Sequence, residues 1–192
     1  VSTTSDPQRR PSVLNLLPPP ERAGLHLVGR LDFNSEGLMI LTDDGELTNL
    51  LTRAGKVAKT YMVKVHGDPS EEDIDRLRQG ISLGAIGHTA PAAIKRISTT
   101  RRGGNAWYEV VLSEGKNQQI RRMFDSIGHP VVKLRRTNIG HLSEDKLASG
   151  QYRKLTPSEI RKFTTPTIGK LSQHEKKRLR KRSLRSRDAN SG

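Results

Sequence analysis

Residues 105–128 read NAWYEVVLSEGKNQQIRRMFDSIG, a strand running into a helix. Asn105 to Ser113 is read as the strand. From Asn117 to Ile127, the residues Ile120, Met123, Phe124 and Ile127 fall at i, i+3, i+4 and i+7, one face of a helix. Gly128 supplies its C-terminal stop. With each residue turned by about 100° from the last, Arg122 lies opposite Ile120, toward solvent. Arg121 falls on the flank of the apolar face, within reach of a half-buried site. Outward from this unit, Val131 to Arg136 reads as a strand, and Ile81 to Leu83 and Ala92 to Ile97 as two more. Arg101 to Gly104 is a candidate hairpin turn. Lys59 to His66 (KTYMVKVH) alternates, placing Tyr61, Val63 and Val65 on one face. Ser70 opens a helix that Gly80 ends. Thr156-Pro157-Ser158-Glu159 opens another, with Thr as N-cap, Pro at the first helical position and Glu closing the box. Helices and strands interleave without a regular βαβ period, which predicts an α+β chain with a mostly antiparallel sheet.

Nearer the N-terminus, residues 1–24 are polar and Pro-rich and read as an extended lead-in. Leu25 to Leu31 reads as a strand, Gly37 to Thr42 as a short buried one, Asp43-Asp44-Gly45 as a turn and Glu46 to Arg53 as a short helix. At the other end, residues 170–192 carry nine Lys or Arg against Glu175 and Asp188, and only Leu171, Leu179 and Leu184 to bury. This composition predicts a basic, disordered tail over 166–192 behind a domain spanning 1–165.

The charge points to a polyanionic partner. Of 192 residues, 34 are Lys or Arg and 20 Asp or Glu, a net charge of +14, and half of it lies outside the tail. Nucleic acid is the partner class this footprint suggests. With no cysteine, a disulfide scaffold and thiolate metal sites are excluded. His26, His66, His88, His129, His141 and His174 form no HxxH or HExxH pattern, so no metal site is expected. No apolar run approaches the roughly 20 residues of a membrane span, and the polar start lacks a signal-peptide core.

Chemistry concentrates in GRLDFNSEGL, residues 29–38. In a strand, Arg30 and Asp32 would share a face, and an Arg beside an Asp keeps the carboxylate ionised, as a nucleophile requires. On spacing alone such a pair is more often structural. The longer stretch GRLDFNSEGLMILTDDGEL (29–47) resembles the catalytic motif of the bacterial small-subunit and large-subunit rRNA pseudouridine synthases. KTYMV (59–63) is similar to that family's next motif, and EGKNQQIRRM (114–123) to its third, in the same order and spacing. The resemblance runs from about Val1 to Phe163.

This resemblance implies an α+β fold, a mixed sheet with flanking helices and an active-site cleft across it. It implies an isomerase that turns a specific uridine of ribosomal RNA into pseudouridine. Asp32 matches the nucleophile, Tyr61 the Tyr stacked on the uracil, and Arg121 the basic residue paired with the catalytic carboxylate. Arg30 matches an Arg that orders the catalytic loop, Ile120 an apolar residue lining the base pocket, and Lys116 and Asn117 positions near the RNA. Asp32 attacks either at C1′ or through elimination to a glycal; both routes stay open. No cofactor is required. The expected protein is a cytoplasmic monomer that binds rRNA and no membrane. The family's small N-terminal RNA-binding domain and its Lys-Pro-x-Gly strand are absent, so the chain is expected to be N-terminally truncated. Its rival is a degenerate module that binds rRNA or assists ribosome assembly.

Overall fold

The computed structural model describes residues 11–99, 104–145 and 147–164. The expected tail and the Arg101–Gly104 turn lie wholly or mostly outside these residues. Elements in chain order are α1 (Pro19–Arg22), β1 (His26–Leu27), β2 (Glu36–Gly37), β3 (Leu41–Thr42), α2 (Gly45–Thr52), β4 (Lys59–Val65), α3 (Glu71–Gln79), β5 (Ala93–Thr99), β6 (Ala106–Leu112), α4 (Gln119–Asp125), β7 (Val131–Ile139), β8 (Leu142–Ser143) and α5 (Pro157–Thr164). The main sheet runs β2-β7-β4-β6-β5, with β8 added on β7, and β1 pairs with β3 separately. Only the β2–β7 pair is parallel among these strand pairings, so the sheet is mixed and mostly antiparallel.

The alternation seen in the sequence becomes the layer structure. On β6, Ala106, Tyr108, Val110 and Leu112 are buried and the residues between them are not. They pack with Val63 and Val65 of β4, with Ile74 and Leu77 of α3, and with Ile120, Met123 and Phe124 of α4. Each large apolar side chain buried this way contributes about 1.5–3 kcal/mol. A smaller core joins Val28, Ile40, Leu47, Leu51, Val57, Ile139 and Leu142.

Helix ends follow their capping residues. Ser70 caps α3 through Asp73 N–H, and Gly80 follows it at φ 97°. Asp44, read as part of a turn, caps α2 by accepting from Glu46 N–H at 2.8 Å and Leu47 N–H at 3.0 Å. The α5 box forms as expected: Thr156 N–H donates to Glu159, and Glu159 N–H to Thr156 Oγ1. Helix α4 starts at Gln119, not Asn117, because Gln118 is left-handed at φ 48°.

The N-terminal third departs most from expectation. The lead-in forms a 3-10 turn at Val13–Leu16 and the single turn α1. The Leu25–Leu31 strand shrinks to His26–Leu27, since Gly29 at φ +75° bends the chain away. The Gly37–Thr42 run splits into β2 and β3, which pair with different partners.

Candidate active site

Asp32 lies half-buried in the loop between β1 and β2. Ser35 N–H donates to the Asp32 carbonyl at 2.9 Å, closing a turn over 32–35. This is not a strand, so the same-face argument for Arg30 and Asp32 does not apply; Arg30 is exposed. Arg121, at the third position of α4, reaches this turn. Its guanidinium donates to the Asn34 carbonyl at 2.6 Å, to Ser35 Oγ at 3.3 Å and to the Val131 carbonyl at 3.4 Å. Among the described residues no salt bridge joins Arg30 or Arg121 to Asp32. The expected ion pair is therefore corrected: here Arg121 holds the backbone of the Asp32 turn, because the Asn34 carbonyl and the Ser35 hydroxyl take its donors.

The segment after the turn is held from the other side. Leu38 N–H donates to the Arg136 carbonyl at 2.8 Å, and Arg136 Nε returns a bond to the Leu38 carbonyl at 2.8 Å. The guanidinium also lies 2.9 Å from Met39 Sδ, and the side chain is buried at 3% exposure. Gly37 makes the approach possible: a Cβ there would stand 2.6 Å from Arg136 N and closer still to its carbonyl oxygen. Arg136 was not singled out from the sequence, where it only ends the strand read over Val131 to Arg136. Its one signal is an Arg at an inward strand position. Lys59 faces the same region. Burial, and after it the Arg136 charge, push its ammonium below the ordinary 10.5. Lys59 Nζ donates to the Leu51 and Val57 carbonyls.

Tyr61 lies on β4, half-buried against the main core that contains Ile120. A register shift between Thr60 and Tyr61 sets Tyr61 opposite Arg136 on β7. Such bulges re-aim side chains and recur near active sites. Arg121 thus binds the Asp32 turn, Ile120 belongs to the core against which Tyr61 packs, and Arg136, opposite Tyr61 on β7, clamps residues 38–39.

Lys116 and Asn117 sit before α4. Asn117 is exposed, whereas Lys116 Nζ donates to the Ile86 carbonyl at 3.2 Å. Their loop is shaped by a part-buried network around Gln119 that was not anticipated from the sequence. Gln119 Nε2 donates to Glu114 at 2.7 Å, its Oε1 accepts from Lys116 N–H at 3.0 Å, and Glu114 also accepts from Ala90 N–H. A cavity of about 490 Å³ lies elsewhere, lined by Leu17, Leu38, Tyr152, Leu155 and Ile160; neither Asp32, Tyr61 nor Arg121 borders it. Among the described residues no three His, Asp or Glu side chains gather as a metal-binding group. No helix there is long and apolar enough to cross a membrane.

A family model described as RNA pseudouridylate synthase matches residues 1–126. The chain belongs to this family. Among the curated members of the RNA pseudouridylate synthase family, ribosomal large subunit pseudouridine synthase B of Bacillus subtilis is 39% identical over 140 residues, covering 72% of this chain and 57% of that protein. Synthase E of Xanthomonas campestris is 38% identical over 166 residues, covering 79% of this chain and 86% of that one. A crystal structure of a pseudouridylate synthase superposes with a TM-score of 0.70 at 34% identity, covering 80% of this chain and 65% of that chain. The chain spans about half the length of several of these synthase B relatives.

Proposed function

We propose that this member of the pseudouridylate synthase family isomerises a uridine of ribosomal RNA to pseudouridine, with Asp32 as nucleophile. The observation that carries the reading is a half-buried Asp32 in a turn tied to α4 by Arg121, within a chain of this family. The reaction breaks the N1–C1′ bond, turns the uracil and forms C5–C1′; the C5 proton leaves and N1 regains one. The uracil cannot turn within a helical stack, so the nucleotide must swing out. Tyr61 stacks on it and Ile120 lines the pocket. Arg121 holds the Asp32 turn in register, Arg30 orders the loop, and Lys116 and Asn117 lie along the RNA path. The chemistry uses no cofactor. Residues 1–165 act as the catalytic domain of a cytoplasmic monomer, and 166–192 as a basic arm that strengthens phosphate contact.

The test is tritium release from rRNA transcripts labelled at C5 of uridine. Wild type releases tritium, and Asp32→Asn releases none while binding RNA within several-fold of wild type, since affinity rests on many phosphate contacts. Equal release by both proteins would remove Asp32 from the chemistry. Binding without release by wild type would mark a module that only holds rRNA.

A further inference from the structure

Three segments of the chain join pairwise into one connected set that includes the Asp32 turn. Arg121 ties residues 32–35 to α4 through the Asn34 carbonyl at 2.6 Å. The segment leading into α4 is tied in turn to the loop after α2, where Gly55 N–H donates to the Ser113 carbonyl at 2.6 Å. That loop returns to the start of the Asp32 segment, since a Cβ on Gly29 would stand 4.0 Å from Thr52 Cγ2. Residues 29–35, 52–56 and 113–121 are therefore neighbours in space, although up to 92 positions separate them in the chain.

These segments are basic. They carry Arg30, Arg53, Lys56, Lys116 and Arg121 against Asp32 and Glu114. Glu114 is occupied by Gln119 and the Ala90 N–H, while Arg121 and Lys116 hold the Asn34 and Ile86 carbonyls. Arg53 and Lys56 are exposed, and among the described residues neither side chain has a hydrogen bond or ion pair. A cation at the end of a helix ordinarily answers its last carbonyls. Here Lys59 Nζ takes the Leu51 carbonyl at 3.1 Å, and the Arg53 backbone N–H takes that of Asn49 at 3.0 Å. The end of α2 is thus capped without the Arg53 and Lys56 charges. Gly115 is likewise not demanded by the fold: its φ is not positive, and a Cβ there would meet nothing within 4 Å. Two unpartnered cations and a bare stretch of backbone, linked to the proposed nucleophile, suit a phosphodiester chain.

We propose that Arg53 and Lys56 bind phosphates of the RNA backbone beside the target uridine, where the strand passes close over Gly115. A nucleotide swings out by rotation about its backbone, so fixing the neighbouring phosphates fixes the direction of the swing. Phosphate contacts set register and carry no base information, so the pair contributes affinity and placement rather than sequence choice. Residues 53–56 fall between the motifs at 29–47 and 59–63, which is why no motif gave them a role. The proposal rests on the pseudouridine synthase reading.

The test first maps the uridine that wild type modifies in rRNA transcripts, then measures binding of a stem–loop spanning it. The double variant Arg53→Gln, Lys56→Gln should raise Kd about 10-fold at physiological salt and flatten the slope of log Kd against log salt by about 1.4–1.8, the share of two phosphates. Arg53→Lys with Lys56→Arg keeps both charges and should keep the slope. Arg76→Gln with Lys95→Gln removes two exposed charges from α3 and β5 and should keep it as well. Stem–loops with a neutral methylphosphonate at one position in turn locate the contact. Beside the target uridine, at least one such substitution should weaken binding by wild type about three-fold or more and leave the Gln double variant unchanged. Equal slopes for wild type and that variant, or methylphosphonate losses alike in both at every position, overturn the phosphate site while the enzyme reading stands. So does an equal flattening in the Arg76 and Lys95 variant, because net charge alone would then act. No pseudouridine formation by wild type overturns both.

Discussion

Gly37→Ala should damage both the fold and the chemistry, and the structure sets the scale. Gly37 sits at φ +115°, where an L side chain is strained, and its partner on β7 is the backbone of Arg136. The added methyl would lie 2.6 Å from Arg136 N and 2.9 Å from its carbonyl carbon. Neither atom can yield, because the Arg136 carbonyl accepts the Leu38 N–H bond that holds β2 in place. Overpacking of about 1–3 kcal/mol and backbone strain of similar size together cost roughly 2–6 kcal/mol. Against a total stability of about 5–15 kcal/mol, the variant should fold but melt early. Urea unfolding by linear extrapolation reads this directly. Gly45→Ala is the control: no atom lies within 4 Å of a Cβ at this first position of α2, so it should be neutral or stabilising by about 0.5 kcal/mol. Below its melting range, Gly37→Ala should also slow single-turnover pseudouridine formation about 100-fold, since a displacement near 1 Å costs a reaction that much. A loss under about 1 kcal/mol with wild-type turnover would refute the view that this close approach positions the Asp32 loop.

Arg121→Ala should slow single-turnover pseudouridine formation about 100-fold by releasing the Asp32 turn, whereas Arg122→Ala, on the exposed side of α4, should stay within about two-fold; equal rates for the two variants would remove the anchor role. The Tyr108 hydroxyl is buried with no hydrogen-bond partner among the described residues, so Tyr108→Phe should stabilise the chain by about 1 kcal/mol in urea unfolding. A comparable loss would mean that the hydroxyl is satisfied. The Arg153 guanidinium and then the Thr156 N–H push the Glu159 carboxyl from 4.5 down to about 2. A carboxyl lowered in the folded state contributes stability above its unfolded value and loses it as the pH falls toward its folded one. Melting temperature should therefore decline between pH 4.5 and about 2 less steeply in Glu159→Gln than in wild type; identical slopes would deny Glu159 that share.

The elements legible in the sequence were those whose own pattern specifies a face. β6 alternates between buried and part-buried positions, and α4 repeats Ile120, Met123 and Phe124 at helical spacing, so each was visible from within its own residues. The α3 and α5 caps were legible for the same reason, since Ser70 and Thr156 bond within three residues of themselves. The family was legible too, because the motifs around Asp32, Tyr61 and Arg121 have an order and spacing that are linear properties. Which groups meet was decided only in three dimensions. Two-residue strands such as β2 have no period to read, and β2 exists because β7 lies beside it. Arg136 was read only as the end of a strand, yet it is buried against a carbonyl 98 residues away in the chain. Arg121 reaches the backbone of Asn34, a carbonyl that any residue would present, so no residue type could announce that partner. Periodicity reports which way a side chain faces relative to its neighbours in the chain. What it meets there is set by packing among distant segments, which local spacing does not encode.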